Sequence, residues 1–222
     1  MLGVVFSGGE SPSAPVILKA LEGKEAFFVA ADSGLVAAEK AGIRPDYIIG
    51  DMDSVAASRL DSYPTERVIR FSQDKDYTDT ELALKMVFEK GCDNVWIIGG
   101  DGGRADHLFA VFSLFEREKF PCRWLAKSAD IYCIDAELSG NNIFCCVEKN
   151  AVVSVFPVGI GPWEAKSEGL KWPMEGLSWK RGFFGLSNVA KDENFFIKAE
   201  KGRFMIMLPF LLSGKRRPLC QQ

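Results

Sequence analysis

The sequence has little histidine, with one such residue among 222, and its six cysteines include no CxxC pair. Zinc centres are usually built from closely spaced cysteine and histidine ligands, so we expect no zinc site. The cysteines are instead interpreted as buried, small apolar residues in a reducing compartment. They are Cys92, Cys122, Cys133, Cys145, Cys146 and Cys220.

Long apolar runs are also absent, because no stretch approaches the roughly 20 residues that a membrane-spanning helix needs. Residues 1–6 are apolar but short and lack a basic start, so we expect no signal peptide. The net charge of -3 argues against a general binder of nucleic acid or anionic membranes. The basic stretch 214–217 is interpreted as a solvated terminus. We therefore expect a cytoplasmic protein with no nucleic-acid or membrane partner.

Short apolar stretches alternate with helical patterns through the first half of the chain. The predicted strands are 2–6, 26–31, 47–49, 67–71 and 95–98, and the predicted helices are 11–21, 34–42, 78–90 and 105–117. This alternation indicates a parallel sheet covered by helices, with ligands bound at the carboxyl ends of the strands. Polar clusters rich in Asp and Gly follow the strands at 7–9, 32–34, 50–54, 73–79 and 99–104.

The pattern changes after about residue 135 to short β-rich runs with turn residues between them. The predicted strands are 143–147, 152–156, 195–199 and 204–208. The sequence therefore predicts an α/β protein, in which a parallel-sheet N-terminal catalytic domain at 1–137 is followed by a smaller all-β sandwich domain at 138–222. Trp163, Trp172 and Trp179 fall in the second domain, where a tryptophan could stack on a flat heterocycle or close the end of the sandwich.

Two carboxylates follow the third predicted strand in the stretch YIIGDMDS. In an extended backbone the side chains of Asp51 and Asp53 point to the same side, with their carbons about 6–7 Å apart. Like charges at that distance near a protein surface repel by about 2–3 kcal/mol. A divalent cation with oxygen ligands, such as magnesium, would offset that repulsion. The alternative is a solvated acidic turn in which Asp53 or Ser54 caps the next helix.

The stretch DKDYTDTE adds acids and a lysine ahead of a predicted helix. Thr78 and Glu81 fit a capping box, and Asp79 in the first turn favours the helix dipole. Capping leaves Asp74, Lys75 and Asp76 unexplained. Such a density of charge after a buried strand favours binding of phosphate and a cation, with Asp76 or Asp79 as the residues involved.

The stretch GGDGGRADH is a glycine loop that enters a helix, where free N–H groups and the helix dipole can hold an anion. Arg104 could add a forked pair of hydrogen bonds to phosphate. Alternatively, Asp106 caps the helix and His107 is a half-buried structural residue. No GxxxxGK[ST] motif occurs, so this is not an ordinary P-loop protein.

Six motifs, in this order, resemble the thiamine pyrophosphokinase family, also called thiamine diphosphokinase. They are DSG at 32–34, GDMDS at 50–54, DKDYTD at 74–79, GGRADH at 102–107, GLKWP at 169–173 and SN at 187–188. The resemblance spans nearly the whole chain. It implies an α/β catalytic domain with a β-sandwich, a homodimer with active sites at the subunit interface, and magnesium-dependent transfer of diphosphate from ATP to thiamine with release of AMP.

The resemblance also implies roles for individual residues. The catalytic and magnesium-binding residues it implies are Asp51, Asp53, Asp76 and Asp79. The implied contacts to ATP and its magnesium are Asp32, Ser54, Lys75, Thr78, Arg104, Asp106 and His107, and the implied thiamine contacts are Trp172, Ser187 and Asn188. Two residues depart from the family pattern, since Met52 stands where Phe is usual and Val111 where Asn often stands. No general base is assigned.

Two other functions compete with this transferase. A non-catalytic sensor of the same fold would bind thiamine or nucleotide, although retention of the four aspartates counts against it. A dinucleotide-dependent oxidoreductase would fit the loose GxGxxG/A pattern of the glycine loop, but Asp101 inside the loop opposes a metal-free pyrophosphate. That class also needs an acidic ribose ligand about 20 residues beyond the loop, where residues 126–128 read Ala-Lys-Ser. We rank the oxidoreductase last.

Overall fold

A computed structural model describes residues 1–209 and 219–221. The basic stretch 214–217 lies outside these residues, as does the side chain of Cys220. The chain divides into two compact units, the first formed by Met1–Leu114 and Lys119–Lys127 and the second by Phe115–Glu118 and Ser128–Gln222. Among the described residues, no helix has the length and apolar composition that crossing a membrane requires.

The first unit alternates strands and helices. Its strands are β1 (Leu2–Ser7), β2 (Ala26–Ala31), β3 (Tyr47–Gly50), β4 (Val68–Arg70), β5 (Asn94–Gly99) and β6 (Arg123–Leu125). Its helices are α1 (Ala14–Leu21), α2 (Gly34–Lys40), α3 (Ala57–Leu60), α4 (Asp79–Glu89) and α5 (Ala105–Ser113), with 3-10 turns at Thr65–Arg67 and Leu114–Glu116. The predicted alternation is confirmed.

The strands of this unit form a parallel sheet in the order β6-β5-β1-β2-β3-β4. Strand β1 is buried along its whole length, as expected for a central parallel strand with an apolar sequence. Gly3 has a packing role, because a Cβ there would lie 2.1 Å from Cγ1 of Val87, so the glycine lets α4 approach the sheet. The chain order reverses between β1 and β5, and open parallel sheets bind ligands at such a switch point.

The second unit is antiparallel. Its strands are β7 (Ala129–Asp135), β8 (Asn142–Cys146), β9 (Val152–Val158), β10 (Glu164–Glu168), β11 (Gly185–Val189), β12 (Asn194–Lys201), β13 (Arg203–Pro209) and β14 (Leu219–Gln221). They run in the orders β11-β9-β13-β7 and β10-β12-β8-β14.

One hydrophobic core joins these two strand groups. Inward-facing residues of β12, such as Phe195 and Ile197, pack in the same cluster as Phe204 and Ile206 of β13. The alternating burial along β12 places its polar residues on the opposite face. A parallel-sheet α/β unit with a smaller all-β sandwich is therefore the observed fold, and the predicted fold class is confirmed.

The observed division differs from the predicted domain limits of 1–137 and 138–222. It lies at Lys127/Ser128, because β7 pairs antiparallel with β13, in register from Arg203 and Asp135 to Pro209 and Ala129. The segment Phe115–Glu118 also groups with the second unit, where the Arg203 guanidinium donates to the carbonyls of Phe115 and Arg117. Helix α5 accordingly ends at Ser113 rather than at the predicted residue 117.

The interpretation of the cysteines is wrong in two places. Cys92 and Cys133 are buried free thiols, as expected. Cys146, however, is exposed, because alternate residues of β8 point away from the core. Cys145, on the buried face of the same strand, is disulfide-bonded.

Candidate active site

A cavity of about 530 Å³ opens in the first unit at the carboxyl ends of β1, β2 and β5. This volume is in the range that holds small-molecule ligands. Its lining residues come from the loops after β1 to β5, from the start of α4, and from α5 and its C-cap. They are Ser7, Gly8, Gly9, Ala31, Asp32, Ser33, Ser54, Gln73, Lys75, Asp76, Tyr77, Thr78, Asp79, Thr80, Gly100, His107, Ala110, Val111 and Leu114.

Three carboxylates converge at the ends of β2 and β3. Asp32, Asp51 and Asp53 each offer an oxygen, and these oxygens lie within 4.8 Å of one another. The expected extended backbone between the two later acids is wrong, because Met52 has a φ of 64° in the left-handed region. The resulting turn lets the N–H of Asp53 donate to Oδ1 of Asp51 at 3.1 Å.

The capping alternative for this turn is also wrong. Helix α3 begins at Ala57, its N-cap is Ala56, and no side chain caps it. The Ser54 hydroxyl instead donates to Oδ1 of Asp53 at 2.8 Å, and Nε2 of Gln73 donates to Oδ2 of Asp53 at 3.1 Å. Both hydrogen bonds orient the Asp53 carboxylate.

Asp32 is held in an unusual conformation. Its φ is 45°, which residues other than glycine rarely adopt, although Asp and Asn tolerate it best. Its N–H donates to the carbonyl of Ile49 at 2.8 Å, which ties the residue to the end of β3. Its Oδ1 atom is buried and accepts no hydrogen bond from the residues that the structure describes. Burial raises the pKa of Asp32, and the nearby carboxylates of Asp79 and Asp51 raise it further.

Gly50 allows a fourth carboxylate to approach this cluster. A Cβ at Gly50 would lie 3.1 Å from Cβ of Asp32 and 3.2 Å from Cγ of Asp79, and the φ of Gly50 is 155°. The two acids therefore lie on either side of a position that has no room for a side chain. Lys75 is mostly buried and its Nζ lies 2.9 Å from Oδ1 of Asp79. This ion pair places one positive charge in the acidic cavity.

The predicted capping box at the start of α4 is present. The N–H of Glu81 donates to Oγ1 of Thr78 at 3.2 Å, and the N–H of Thr78 donates to Oε2 of Glu81 at 2.7 Å. Capping thus fixes the loop that carries Lys75, Asp76 and Asp79. Asp76 is exposed in the cavity wall and is not one of the three clustered acids.

The glycine loop after β5 is fixed against the loop after β1. Glu10 and Asp101 exchange main-chain hydrogen bonds of 2.7 and 3.2 Å. Oε2 of Glu10 lies 2.7 Å from Nζ of Lys127, and a Cβ at Gly102 would lie 2.6 Å from the Glu10 carboxyl group. Gly100 also needs to be glycine, because its φ is 72° and a Cβ there would lie 3.2 Å from Cγ2 of Val111.

The sequence predicts that Arg104, in the GGRADH motif at the start of α5, donates to phosphate, but in the structure it pairs with Asp106. Arg104 is the N-cap residue, and its guanidinium donates to both oxygens of Asp106, at 3.1 and 2.6 Å. These hydrogen bonds hold the pKa of Asp106 below its ordinary value. The fork of Arg104 is therefore occupied by a carboxylate. His107 lines the cavity, whereas Arg104 and Asp106 do not.

The predicted thiamine residues lie in the second unit. The Asn188 side chain is buried and contacts the main chain of Trp172 twice, accepting from its N–H at 3.1 Å and donating to its carbonyl at 2.7 Å. Trp172 is 52% exposed, and Nζ of Lys171 lies 4.5 Å from its ring centroid. Ser187 has a φ of 59°, and its N–H donates to Oγ of Ser154.

The other two tryptophans of this unit are structural. Trp179 is buried and makes edge contacts with Phe183 and Phe204, at centroid distances of 5.8 and 5.2 Å. Trp163 packs against the same core and donates from Nε1 to the carbonyl of Val158. Of the three, Trp172 is the ring with an open face for a ligand.

Sequence reasoning missed several parts of the cavity wall. Thr80 lies in the wall with its Oγ1 2.7 Å from Oγ of Ser7, although neither hydroxyl was a predicted site residue. The polar cluster after β1 was the signal that could have pointed to Ser7. Val111, the departure from the family pattern, is buried in the wall, so this position makes no polar contact.

The donor set fits a hard divalent cation. Three carboxylates at this separation repel one another, and the buried Oδ1 of Asp32 keeps lone pairs that no described group satisfies. Hard cations take oxygen ligands of this kind and bring the charge that offsets the repulsion.

Sequence comparisons match part of the chain to thiamine pyrophosphokinases. Residues 18–123 match the sequence model of the family described as "Thiamin pyrophosphokinase, catalytic domain". The thiamine pyrophosphokinase of Bacillus subtilis (strain 168) is 36% identical over 91 residues, which are 39% of this chain and 42% of that protein. The matched stretch thus spans less than half of that curated relative.

Solved structures cover more of the chain. The thiamine pyrophosphokinase of Bacillus subtilis superposes with a TM-score of 0.74 at 22% identity, over 95% of this chain and 99% of that one. The enzyme from Geobacillus thermodenitrificans gives 0.72 at 22% identity, over 96% and 99%. That from Candida albicans gives 0.69 at 13% identity, over 95% and 89%. These likenesses show that the fold is shared.

A parallel sheet with an acidic cavity at the ends of its strands, accompanied by an antiparallel sandwich, defines an α/β protein with a candidate ligand site. The resemblance that the motifs carry is confirmed, since residues 18–123 match the model of the thiamin pyrophosphokinase catalytic domain and a curated thiamine pyrophosphokinase matches over 91 residues.

Proposed function

We propose that this protein is a thiamine diphosphokinase, which transfers diphosphate from ATP to the hydroxyethyl oxygen of thiamine and releases AMP. The observation that carries the proposal is the convergence of Asp32, Asp51 and Asp53 beside a cavity of about 530 Å³. These residues lie within the stretch that matches the catalytic domain of the family. A cation and a polyphosphate are the ligands whose charges suit such a site.

Magnesium is the proposed cation, and Asp32, Asp51 and Asp53 would hold it, with Asp79 and Asp76 as further ligands. The buried and unpartnered oxygen of Asp32 supports this choice, because magnesium binds oxygen and commonly shares phosphate oxygens with one or two carboxylates. When bound, magnesium supplies positive charge that polarises and neutralises the phosphates.

The chain contributes its own charge and donors to ATP binding. Lys75, held beside Asp79, places an ammonium group in the cavity, where it can bind phosphate oxygens. The hydroxyls of Ser7 and Thr78 and the N–H groups of the glycine loop are neutral donors for the same oxygens, whereas the Ser54 hydroxyl donates to Asp53. The pair with Asp106 uses Nε and Nη2 of Arg104, so its Nη1 donors remain for a phosphate, while a forked contact through the Nε and Nη2 donors requires that pair to open.

The proposed reaction depends mainly on the positions in which the two substrates are held. The thiamine hydroxyl must reach the β-phosphorus of ATP in line with the departing AMP, and fixed positive groups stabilise the charge that AMP takes with it. The capping box and the Lys75–Asp79 ion pair hold the loop rigid while this happens. No general base is assigned, because phosphoryl transfer of this type needs little help from one.

The proposal places thiamine against Trp172 and Ser187. Trp172 offers an exposed ring, and Asn188 acts by fixing the main chain of Trp172, because its amide is committed to that contact. A homodimer with active sites at the subunit interface and a cytoplasmic location, both expected above, belong to the same proposal.

The test is an assay of AMP release from ATP with magnesium, with and without thiamine. AMP and thiamine diphosphate are expected in equal amounts, and only when ATP, magnesium and thiamine are all present. A folded protein that binds thiamine or ATP but never forms AMP would contradict the proposal and leave the non-catalytic sensor.

A further inference from the structure

Tyr77 is the residue of the DKDYTD motif that neither capping nor charge explains. Thr78 caps α4, and Asp79 pairs with Lys75. The Tyr77 side chain, by contrast, is 57% exposed in the cavity wall. Within residues 1–209 and 219–221 it has no hydrogen bond and no aromatic partner. A large ring left open beside a ligand cavity has no role in the packing of the unit.

The main chain on both sides of Tyr77 is fixed. Thr78 and Glu81 exchange hydrogen bonds in the capping box, and the N–H of Lys75 donates to the carbonyl of Gln73 at 3.0 Å. The loop therefore presents the ring from a stiff backbone. A preorganised side chain loses little conformational entropy when a ligand covers it.

The rest of the wall lacks a comparable surface. Its polar part is made of carboxylates, hydroxyls, the Gln73 amide, the Lys75 ammonium and glycines, and its apolar part consists of Ala31, Ala110, Val111 and Leu114. His107 is the other ring in the lining. Tyr77 therefore offers the largest flat apolar face in the cavity, next to the groups proposed to bind phosphates. Stacking on an aromatic face holds a flat heterocycle firmly while tolerating its exact identity.

We propose that Tyr77 stacks on the flat heterocycle of a substrate and is a specificity-determining residue of this site. The inference rests on the proposed function, which supplies two heterocycles of the same chemistry, the nucleobase of ATP and the aminopyrimidine of thiamine. The residue acts in binding, with no part in the transfer of diphosphate itself.

The experiment compares Tyr77→Phe, Tyr77→Leu and the control Phe109→Leu with the unaltered protein. Phe109 is a suitable control because its ring is 69% exposed on α5 but does not line the cavity. Calorimetry measures the affinities for ADP and thiamine separately in the presence of magnesium. Steady-state kinetics measures KM for ATP and for thiamine together with kcat.

Tyr77→Leu is expected to weaken binding of one heterocyclic ligand by at least about fivefold and to raise the corresponding KM, with kcat retained. Tyr77→Phe and Phe109→Leu are expected to match the unaltered protein. Loss of ADP affinity identifies the nucleobase as the stacked ring, and loss of thiamine affinity identifies the aminopyrimidine. Unchanged affinity for both ligands in Tyr77→Leu would overturn the inference.

Fluorescence quenching gives a second test of stacking, and AMP release by the unaltered protein tests the proposed function separately. Tyr77→Trp adds a fluorescent ring, and its emission, after subtraction of that of the unaltered protein, is expected to be quenched by the stacked ligand. Absence of quenching by both ligands would count against stacking. If the unaltered protein released no AMP, the proposed function would be wrong. If the unaltered protein were fully active and Tyr77→Leu had unchanged ligand affinities and KM values, only the stacking role would be wrong.

Discussion

The main-chain N–H of Asp53 donates a hydrogen bond of 3.1 Å to Oδ1 of Asp51. The bond depends on the left-handed conformation of Met52, which folds the two acids into one turn. It gives the Asp51 carboxylate a fixed orientation and leaves its other oxygen for a ligand. The acidic cluster is therefore held by local main-chain geometry, so single side-chain changes in it should leave the fold intact.

Asp51→Asn and Asp53→Asn are each expected to lower the rate of AMP formation by about 100-fold or more, because a neutral amide is a weaker partner for the proposed cation. Thermal unfolding in chelator should show no loss of stability, since each change removes like-charge repulsion. Asp61→Asn, at an exposed acid outside the cavity, is the control and should retain full activity. Wild-type rates in either cluster variant would refute the metal assignment.

Asp32→Asn is expected to stabilise the metal-free protein at neutral pH. The folded-state pKa of Asp32 is raised above the ordinary 3.8 by burial, so ionisation above that raised pKa destabilises the fold. Asparagine removes this charge and tolerates the same φ. Urea unfolding in EDTA should show the gain at pH 7 and its disappearance as the pH falls below 3.8.

In the same unfolding experiment, magnesium is expected to stabilise the unaltered protein more than Asp32→Asn. Its binding should raise the free energy of unfolding of the unaltered protein and have a much smaller effect on Asp32→Asn. Equal stabilisation of both proteins by magnesium would show that Asp32 is not a ligand.

Gly102→Ala is expected to reduce stability more than Gly103→Ala. The two glycines have similar φ values of 69° and 65°, so an alanine at either position meets the same backbone strain of about 1–2 kcal/mol. A Cβ at Gly102 would lie 2.6 Å from the Glu10 carboxyl group, whereas a Cβ at Gly103 has nothing within 4 Å. Chemical denaturation measures the difference.

Removal of the Glu10 side chain, which pairs with Lys127, tests whether that side chain causes the difference. Adding Glu10→Ala to Gly102→Ala should reduce the gap from Gly103→Ala, because the clashing carboxyl group is gone. A gap that is unchanged in the double variant would mean that the Glu10 side chain is not its cause.

Asn188→Ala and Trp172→Ala are expected to separate structural support from ligand contact. Asn188→Ala leaves the main-chain groups of Trp172 without their buried partner and should cost about 1–3 kcal/mol of stability as well as raise KM for thiamine. Trp172→Ala removes an exposed ring, so it should raise KM for thiamine with little loss of stability. Urea unfolding and thiamine kinetics test both. Unchanged thiamine kinetics in Trp172→Ala would remove this ring from the proposed site.

The sequence predicted those parts of the site that depend on local signals. The capping box of Thr78 and Glu81 follows from residue types at fixed spacing, and it is present. The acid pair was located by a buried strand that ends at glycine, but its geometry was not, because nothing in the identity of Met52 marks a left-handed residue. The grouping of Asp32 with that pair depends on the adjacency of β2 and β3, which brings distant residues together.

Strand prediction failed at β6 and β10, where the apolar signal was short or weak. β10 has the sequence EAKSE, and its inward residues are Ala165 and Ser167, so the alternation that marks a half-buried strand is hardly visible. β6 has only three residues. Both strands exist because neighbouring strands satisfy their main-chain groups, which is tertiary information.

Arg203 attaches residues 115–118 to the β-rich unit, and this determines where the chain can be cut into fragments. The β-rich unit takes a segment of chain that precedes β6, so the two units interleave in sequence. A fragment that starts at Ser128 would remove two carbonyl partners of the Arg203 guanidinium, which also binds Asp135. A contiguous fragment that keeps the whole β-rich unit must therefore begin at or before Phe115, and it then carries β6 of the first unit with it.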